Sequence, residues 1–144
     1  MYTIRKASAE DAAALKKLND LFNNDPICNS ADGIAASLAS NPREIVCVAC
    51  DGEGNLAGFC CGQVLMSMCY SVNYGEVTEL FVLEEFRRQG IGKKLMAFME
   101  SELQRRGVKG FQLWTGGGNT TAQAFYHSCG YAGKMKMMFN KEPK

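Results

Sequence analysis

At Gly90 the sequence changes period, and that change limits what the chain can become. Before it lie three apolar runs with β character, residues 44–51, 56–70 and 74–83. The first two are joined by Asp51-Gly52-Glu53-Gly54-Asn55, and Asp-Gly between apolar runs is a strong hairpin signal. After Gly90, the residues Ile91, Leu95, Phe98, Met99 and Leu103 recur at helical spacing as one apolar stripe. Arg105-Arg106-Gly107 closes it, with basic residues in the last turn and a glycine beyond. An antiparallel meander feeding a long helix through a glycine-bearing turn predicts a mixed α/β domain and argues against a doubly wound parallel sheet.

The flanks extend the same pattern. Residues 2–7 read as a first strand. Ser8 and Asp11 stand at capping-box spacing, and Leu15, Leu18 and Phe22 mark a helix to about Asn23. Asn23-Asn24-Asp25-Pro26 breaks it, and a weaker helix over residues 31–39 ends at Asn41-Pro42. Residues 109–115 form another strand, Gly116-Gly117-Gly118-Asn119 a loop, residues 120–129 a short helix stopped by Gly130, and residues 131–140 a last strand. The expected order is β-α-α-β-β-β-α-β-α-β, in one domain over residues 1–144. Met135, Met137 and Phe139 alternate with Lys134 and Lys136, so the last strand is expected half-buried, with a surface on which a homodimer could form.

Composition removes several classes of function. The formal charge is +1, so no overall field recruits nucleic acid or an anionic membrane. The apolar runs fall well short of the roughly 20 residues that span a bilayer, and Met1 leads into Tyr-Thr-Ile-Arg-Lys without an apolar leader. Seven cysteines without an export signal predict free thiols in a reducing, cytoplasmic setting. Cys47 and Cys50 form a C-x-x-C, but they lie in an apolar run, no second ligand pair is present and His127 is the sole histidine, so no metal is expected. Cys60, Cys61 and Cys69 are read as small buried hydrophobes.

The sharpest local feature is Glu79-Leu80-Phe81-Val82 followed by Arg87-Arg88-Gln89-Gly90-Ile91-Gly92-Lys93. A helix start has unpaired N–H groups and partial positive charge, glycines admit close backbone approach, and Arg87, Arg88 and Lys93 add full charges, which together suit a pyrophosphate. A dinucleotide fingerprint fails because its third glycine position holds Leu95, and a P-loop pattern is absent. An ordinary strand–turn–helix with a solvated basic turn remains open on these residues alone.

Arg87-Arg88-Gln89-Gly90-Ile91-Gly92 matches [Q/R]-x-x-G-x-[G/A], the acetyl-CoA signature of the GNAT superfamily, which the chain resembles. The stretch from Asn119 through Ala122, Phe125 and Tyr126 to Gly130-Tyr131 matches a second GNAT element, and Ile4-Arg5-Lys6-Ala7 with Asp11 and Leu15 is similar to the family's opening. The resemblance implies a GNAT fold, a central, mostly antiparallel twisted sheet of six to seven strands flanked by about four helices. It implies acetyl-CoA as cosubstrate, with Leu80, Phe81 and Val82 offering backbone groups to the pantetheine arm and Arg88 through Lys93 holding the pyrophosphate. Asn119 would touch the cofactor arm and Tyr126 would point its hydroxyl at the thioester sulfur.

The chemistry so implied is direct attack of a neutral amine on the thioester in a ternary complex. A backbone N–H near Val82 could stabilise the oxyanion, and Tyr126 could protonate the departing thiolate, a transfer uphill by about 2 kcal/mol between a free phenol and a free thiol. The resemblance points to Glu79 as the base and, by analogy with the histone-modifying branch, to Glu76; a water chain is the third option. Residues three apart on a regular strand point to opposite faces, so only a bulge would let both face the cleft. The glutamate that the ribosomal-protein branch uses on the next strand is replaced by Gln112-Leu113-Trp114-Thr115, which argues against that branch. Trp114 is expected in the core, with the acceptor cleft as its alternative place, and His127 on the surface, while Asp20, Asp25 and Asp32 stand where the family shapes its acceptor site, either to attract a cationic amine or as solvated loop charges. The expected activity is N-acetylation of a small amine of aminoglycoside, polyamine or amino-acid type. Alternatives are acetylation of a protein lysine or N-terminus, and acyl-CoA binding without catalysis.

Overall fold

Five strands, the central β2 and β3 apolar almost throughout, build a sheet in the order β1-β2-β3-β4-β5. The computed structural model describes residues 1–144. Its strands are β1 (Thr3–Lys6), β2 (Glu44–Cys50), β3 (Leu56–Leu65), β4 (Tyr74–Val82) and β5 (Phe111–Leu113). The helices are α1 (Ala12–Asn23), α2 (Ala31–Ser40), α3 (Ile91–Arg105) and α4 (Thr120–Ser128). β1 to β4 pair antiparallel and β5 joins β4 in parallel, so the sheet is mostly antiparallel, as expected. Residues 1–113 and 114–144 form two compact units.

In the larger unit both sheet faces are covered. Val48, Cys50, Phe59 and Cys61 pack with Leu15 and Leu18 of α1. The opposite face meets the α3 stripe, where Ile91, Leu95, Met96, Met99 and Leu103 are fully buried. The Cys47 thiol approaches the Leu95 carbonyl at 4.0 Å on that face, whereas Cys50 belongs to the α1 face. The two thiols of the C-x-x-C thus lie on opposite sides of the sheet and cannot share one ion. The expected capping residues also hold: the Asp11 carboxylate accepts from the Ser8 N–H at 2.8 Å and takes both guanidinium nitrogens of Arg5 at 2.8 Å.

Two expectations fail. Residues 131–140 form no strand, leaving a five-stranded sheet, and Met135, Met137 and Phe139 are exposed. A period-2 pattern only permits a strand; its backbone groups must also find a ladder to join. β3 stops at Leu65, which pairs with Tyr74, so residues 66–73 are a connection and Cys69 lies exposed rather than buried.

Candidate active site

The site begins with one extra residue in β4. Cys61 pairs with Glu79, but its neighbour Gly62 pairs with Val77, so Thr78 is bulged out of the ladder. Gln63 pairs with Glu76. Because Cys61 and Gln63 are two apart on β3, Glu76 and Glu79 project from the same face, the one covered by α1. The β4–β5 ladder runs from Gly75–Phe111 to Val77–Leu113 and ends where the bulge begins. Beyond it the outer edge of β4, residues 78–82, has no strand beside it.

That open edge carries usable hydrogen-bonding groups. The Leu83 N–H donates to the Ala57 carbonyl of β3 at 2.9 Å, so by alternation the backbone groups of Leu80 and Val82 point outward. The Val82 carbonyl confirms the direction, since it accepts from Arg87 Nε at 2.9 Å. The Arg87 guanidinium also lies 5.8 Å from the centre of the Phe81 ring, which packs between Phe22 at 5.2 Å and Phe59 at 6.1 Å. Phe81 therefore anchors the strand through its side chain, and Arg87 ties the strand to the turn that follows.

The turn itself is built for exposed N–H groups. Arg88 (φ 66°) and Gly90 (φ 79°) both take left-handed conformations, which glycine adopts freely and arginine at a cost of about 1 kcal/mol. Gly90 caps α3 with no side-chain hydrogen bond, and the first ladder bond runs from the Lys94 N–H to the Gly90 carbonyl. The N–H groups of Ile91, Gly92 and Lys93 precede that bond and point out of the helix start. Arg88, Gln89 and Lys93 are exposed around them, while Ile91 is buried and anchors the helix.

Below the β4 edge, α1, the α1–α2 connection and α2 enclose a cavity of about 440 Å³ over the sheet, a volume suited to a small molecule. Asn24 (φ 45°) ends α1 in a left-handed turn, sending Asp25, Ile27, Cys28 and Asn29 along the cavity wall. Apolar walls come from Leu15, Ile34, Leu38, Val46 and Phe59, and the polar groups include Asp25, Glu44 and Glu79. Burial raises the Glu79 pKa above the ordinary carboxylate value, and the charge of Glu44 raises it further; burial also raises that of Glu44. The Cys61 thiol is pushed well up by burial and then by both glutamates. Of the acids placed near the site in the sequence, Glu79 and Asp25 line the cavity, and Glu76, Asp20 and Asp32 do not. Glu44 had no sequence signal beyond opening a strand.

The smaller unit holds the second motif. Asn119 caps α4, its side-chain oxygen accepting from the Ala122 N–H at 3.0 Å. Gln123 Nε2 donates to the carbonyls of Gly116 and Gly117, fixing the glycine loop. Tyr126 is half-buried on α4 between the rings of Phe125 at 5.3 Å and Tyr131 at 6.2 Å. His127 is exposed, as expected, with Nδ1 3.0 Å from the Tyr131 carbonyl. Trp114 is 52% exposed rather than in a core, and the Lys136 ammonium lies 5.8 Å over its ring.

Residues 12–131 match the model of the acetyltransferase (GNAT) family. The chain belongs to that family. It is 39% identical over 92 residues to an uncharacterized N-acetyltransferase from Archaeoglobus fulgidus, a match covering 63% of this chain and 62% of that relative. The chain thus spans about three fifths of the curated relative's length. Among solved structures, its fold matches AAC(6')-Iy in complex with a CoA bisubstrate analogue, with a TM-score of 0.87 at 17% identity over 100% of this chain and 99% of the other. It also matches the aminoglycoside acetyltransferase meta-AAC0020 from an uncultured soil metagenomic sample, in complex with sisomicin, with a TM-score of 0.85 at 21% identity, covering 99% and 97%. At these identities the likeness is one of fold. The GNAT fold expected for the chain is the fold it has, with five strands rather than six or seven.

Proposed function

We propose that this GNAT protein transfers the acetyl group of acetyl-CoA to a primary amine of a small molecule, its two units together forming one catalytic domain. The observation that carries this reading is the open β4 edge, which has the Gly90 turn beyond one end and Glu79 on the face beneath it, over the cavity. The outward backbone groups of Leu80 and Val82 would take the pantetheine arm as an added strand. The N–H groups from Arg88 to Lys93, with the flanking basic side chains, would hold the pyrophosphate. An unpaired edge presents a row of N–H and C=O groups ready to pair with an added extended segment.

Acetyl-CoA supplies an activated acyl group, so the protein's work is to place the amine and manage protons. Glu79, directly or through a water, would accept the proton that an ammonium must lose before its nitrogen can attack. Its raised pKa brings it closer to the basicity this step requires. An outward N–H at Val82 or Leu80 would bind the developing oxyanion. The nitrogen bonds to the carbonyl carbon and sheds a second proton, the carbon–sulfur bond breaks, and Tyr126 would give its proton to the departing thiolate and be reprotonated by the proton the nitrogen releases, directly or through water. Asn119 would contact the cofactor arm.

The test is release of CoA from acetyl-CoA against a panel of amines and peptides, with Tyr126→Phe and a Gly90→Val, Gly92→Val double variant alongside. Amine-dependent release, slowed about 10- to 100-fold by the first change and abolished by the second, is the expected result. CoA binding without release for any acceptor would replace catalysis with simple acyl-CoA binding, and faster turnover of peptides than of free amines would move the acceptor to proteins.

A further inference from the structure

Glu44 is the first residue of β2, and Glu79 lies on β4 with β3 between them. Glu44 pairs with Gln63 and Glu79 with Cys61, two positions apart on β3, so both carboxylates rise from the same face. Two strand spacings and the two-residue offset together separate them by about 12 Å at the backbone. The cavity lies over that gap, and at its wall stands the exposed Asp25, whose carboxylate accepts from the Ile27 N–H at 3.0 Å. No lysine, arginine or histidine lines it, and none of the three acids takes part in an ion pair. The Cys61 thiol, 8% exposed, faces into the same space with no hydrogen bond to its sulfur.

This arrangement has no structural merit of its own. Half-buried like charges oppose folding, and glutamine or an apolar residue at position 44 would remove the repulsion. Elsewhere in the unit the chain compensates its buried acids: Glu102 meets Lys6 and Arg105, and Asp11 meets Arg5, all at 2.8 Å. The half-buried Glu44 and Glu79 of the cavity take part in no ion pair, and this is what a cationic ligand would complete.

We propose that Glu44 is a specificity-determining residue, which holds a second ammonium of the acceptor while Glu79 receives the amine to be acetylated. The acceptor class is therefore a small polycation, with at least two amino groups joined by an apolar carbon framework. An amino acid fits poorly, because its carboxylate would enter a cavity already anionic. A simple monoamine would leave Glu44 uncompensated. The inference rests on the acetyl-transfer reading above and narrows its acceptor.

Four acceptors separate the possibilities: spermidine and neamine as polycations, n-butylamine as a monocation, and γ-aminobutyrate as a zwitterion. CoA release is followed for each with the wild-type chain and with Glu44→Gln, which preserves side-chain size; thermal melts confirm that the variant folds. At least one polycation should exceed n-butylamine in kcat/KM by about 10-fold or more, and γ-aminobutyrate should be poorest. In Glu44→Gln, with both proteins assayed on the plateau of their own pH–rate profiles, the advantage should disappear through a rise in KM for the polycation that exceeds any change for n-butylamine. If n-butylamine or γ-aminobutyrate is the best acceptor, or if the preference survives in Glu44→Gln, the role given to Glu44 is wrong while acetyl transfer stands. If no acceptor releases CoA, the acetyl-transfer reading itself fails, and the role of Glu44 with it.

Discussion

Gly58 lies opposite Val82, where β3 comes closest to the open edge of β4. A Cβ added there would sit 2.5 Å from the Phe81 carbonyl oxygen and 3.1 Å from Val82 Cα, whereas ordinary contact begins at 3.4 Å. Both obstacles are backbone, so no side chain can swing aside. Gly58→Ala must part the two strands by about 0.9 Å, enough to break a ladder hydrogen bond worth about 1 kcal/mol. Strain from overpacking adds roughly 1–3 kcal/mol. The total is about 3 kcal/mol, or a fall in Tm of ~10 °C for a chain of this size. The same displacement moves Leu80 and Val82 relative to the start of α3, and a misplacement of this size costs on the order of 100-fold in kcat/KM. Differential scanning calorimetry and steady-state kinetics with acetyl-CoA would measure both. Gly52→Ala, which meets nothing within 4 Å, is the control and should change neither. If Gly58→Ala melts with the wild type and keeps its kcat/KM, the close approach of β3 and β4 does not set the edge.

Three further outcomes follow from the geometry. Asp11→Asn should lose about 2 kcal/mol by removing the charged partner of Arg5; since Arg5 and Ser8 lower the Asp11 pKa, the contribution is full above the unfolded carboxylate value and fades as pH falls through the folded one, so urea midpoints of variant and wild type should converge in acid. Arg88→Gly should relieve a left-handed arginine and gain about 0.5–1 kcal/mol in thermal melts, while the lost charge raises the KM for acetyl-CoA; if stability and KM both stay at wild-type values, the strain at this turn is unrelated to cofactor binding. A base must be deprotonated to act, so the rate should climb as pH passes the raised Glu79 pKa, and Glu44→Gln should move that limb to lower pH because one of its causes is removed, with Asp25 and the Cys61 thiol unchanged; a limb that stays in place would separate Glu79 from the rate.

How far the sequence could be read depended on how local each determinant is. The α3 stripe, the β2–β3 hairpin and the Gly90 turn are written in neighbouring residues, and all three stand where expected. The bulge at Thr78 is not, because Val77-Thr78-Glu79 is ordinary strand sequence and only pairing with Cys61 and Gly62 shows the extra residue. That bulge puts Glu76 and Glu79 on one face, and the cavity then takes in Glu79 alone. Glu44 is illegible in the sequence for the same reason, since its kinship with Glu79 runs through two registers and no sequence spacing. The expected strand at residues 131–140 failed in the other direction: its alternation is clear, but a strand needs a ladder as well as a pattern. Cys69 is exposed rather than buried because pairing with β4 ends at Leu65, although the apolar composition of residues 56–70 continues past it.

On the proposed function, an amine reached through the Glu79 cavity receives the acetyl group. Intact mass of the acceptor after incubation with acetyl-CoA and the wild-type chain tests this most directly, with Glu79→Gln run in parallel. A singly acetylated amine, formed about 100-fold more slowly by the variant, is the predicted result. An unmodified acceptor while acetyl-CoA is hydrolysed to acetate, or equal product from both proteins, would contradict it.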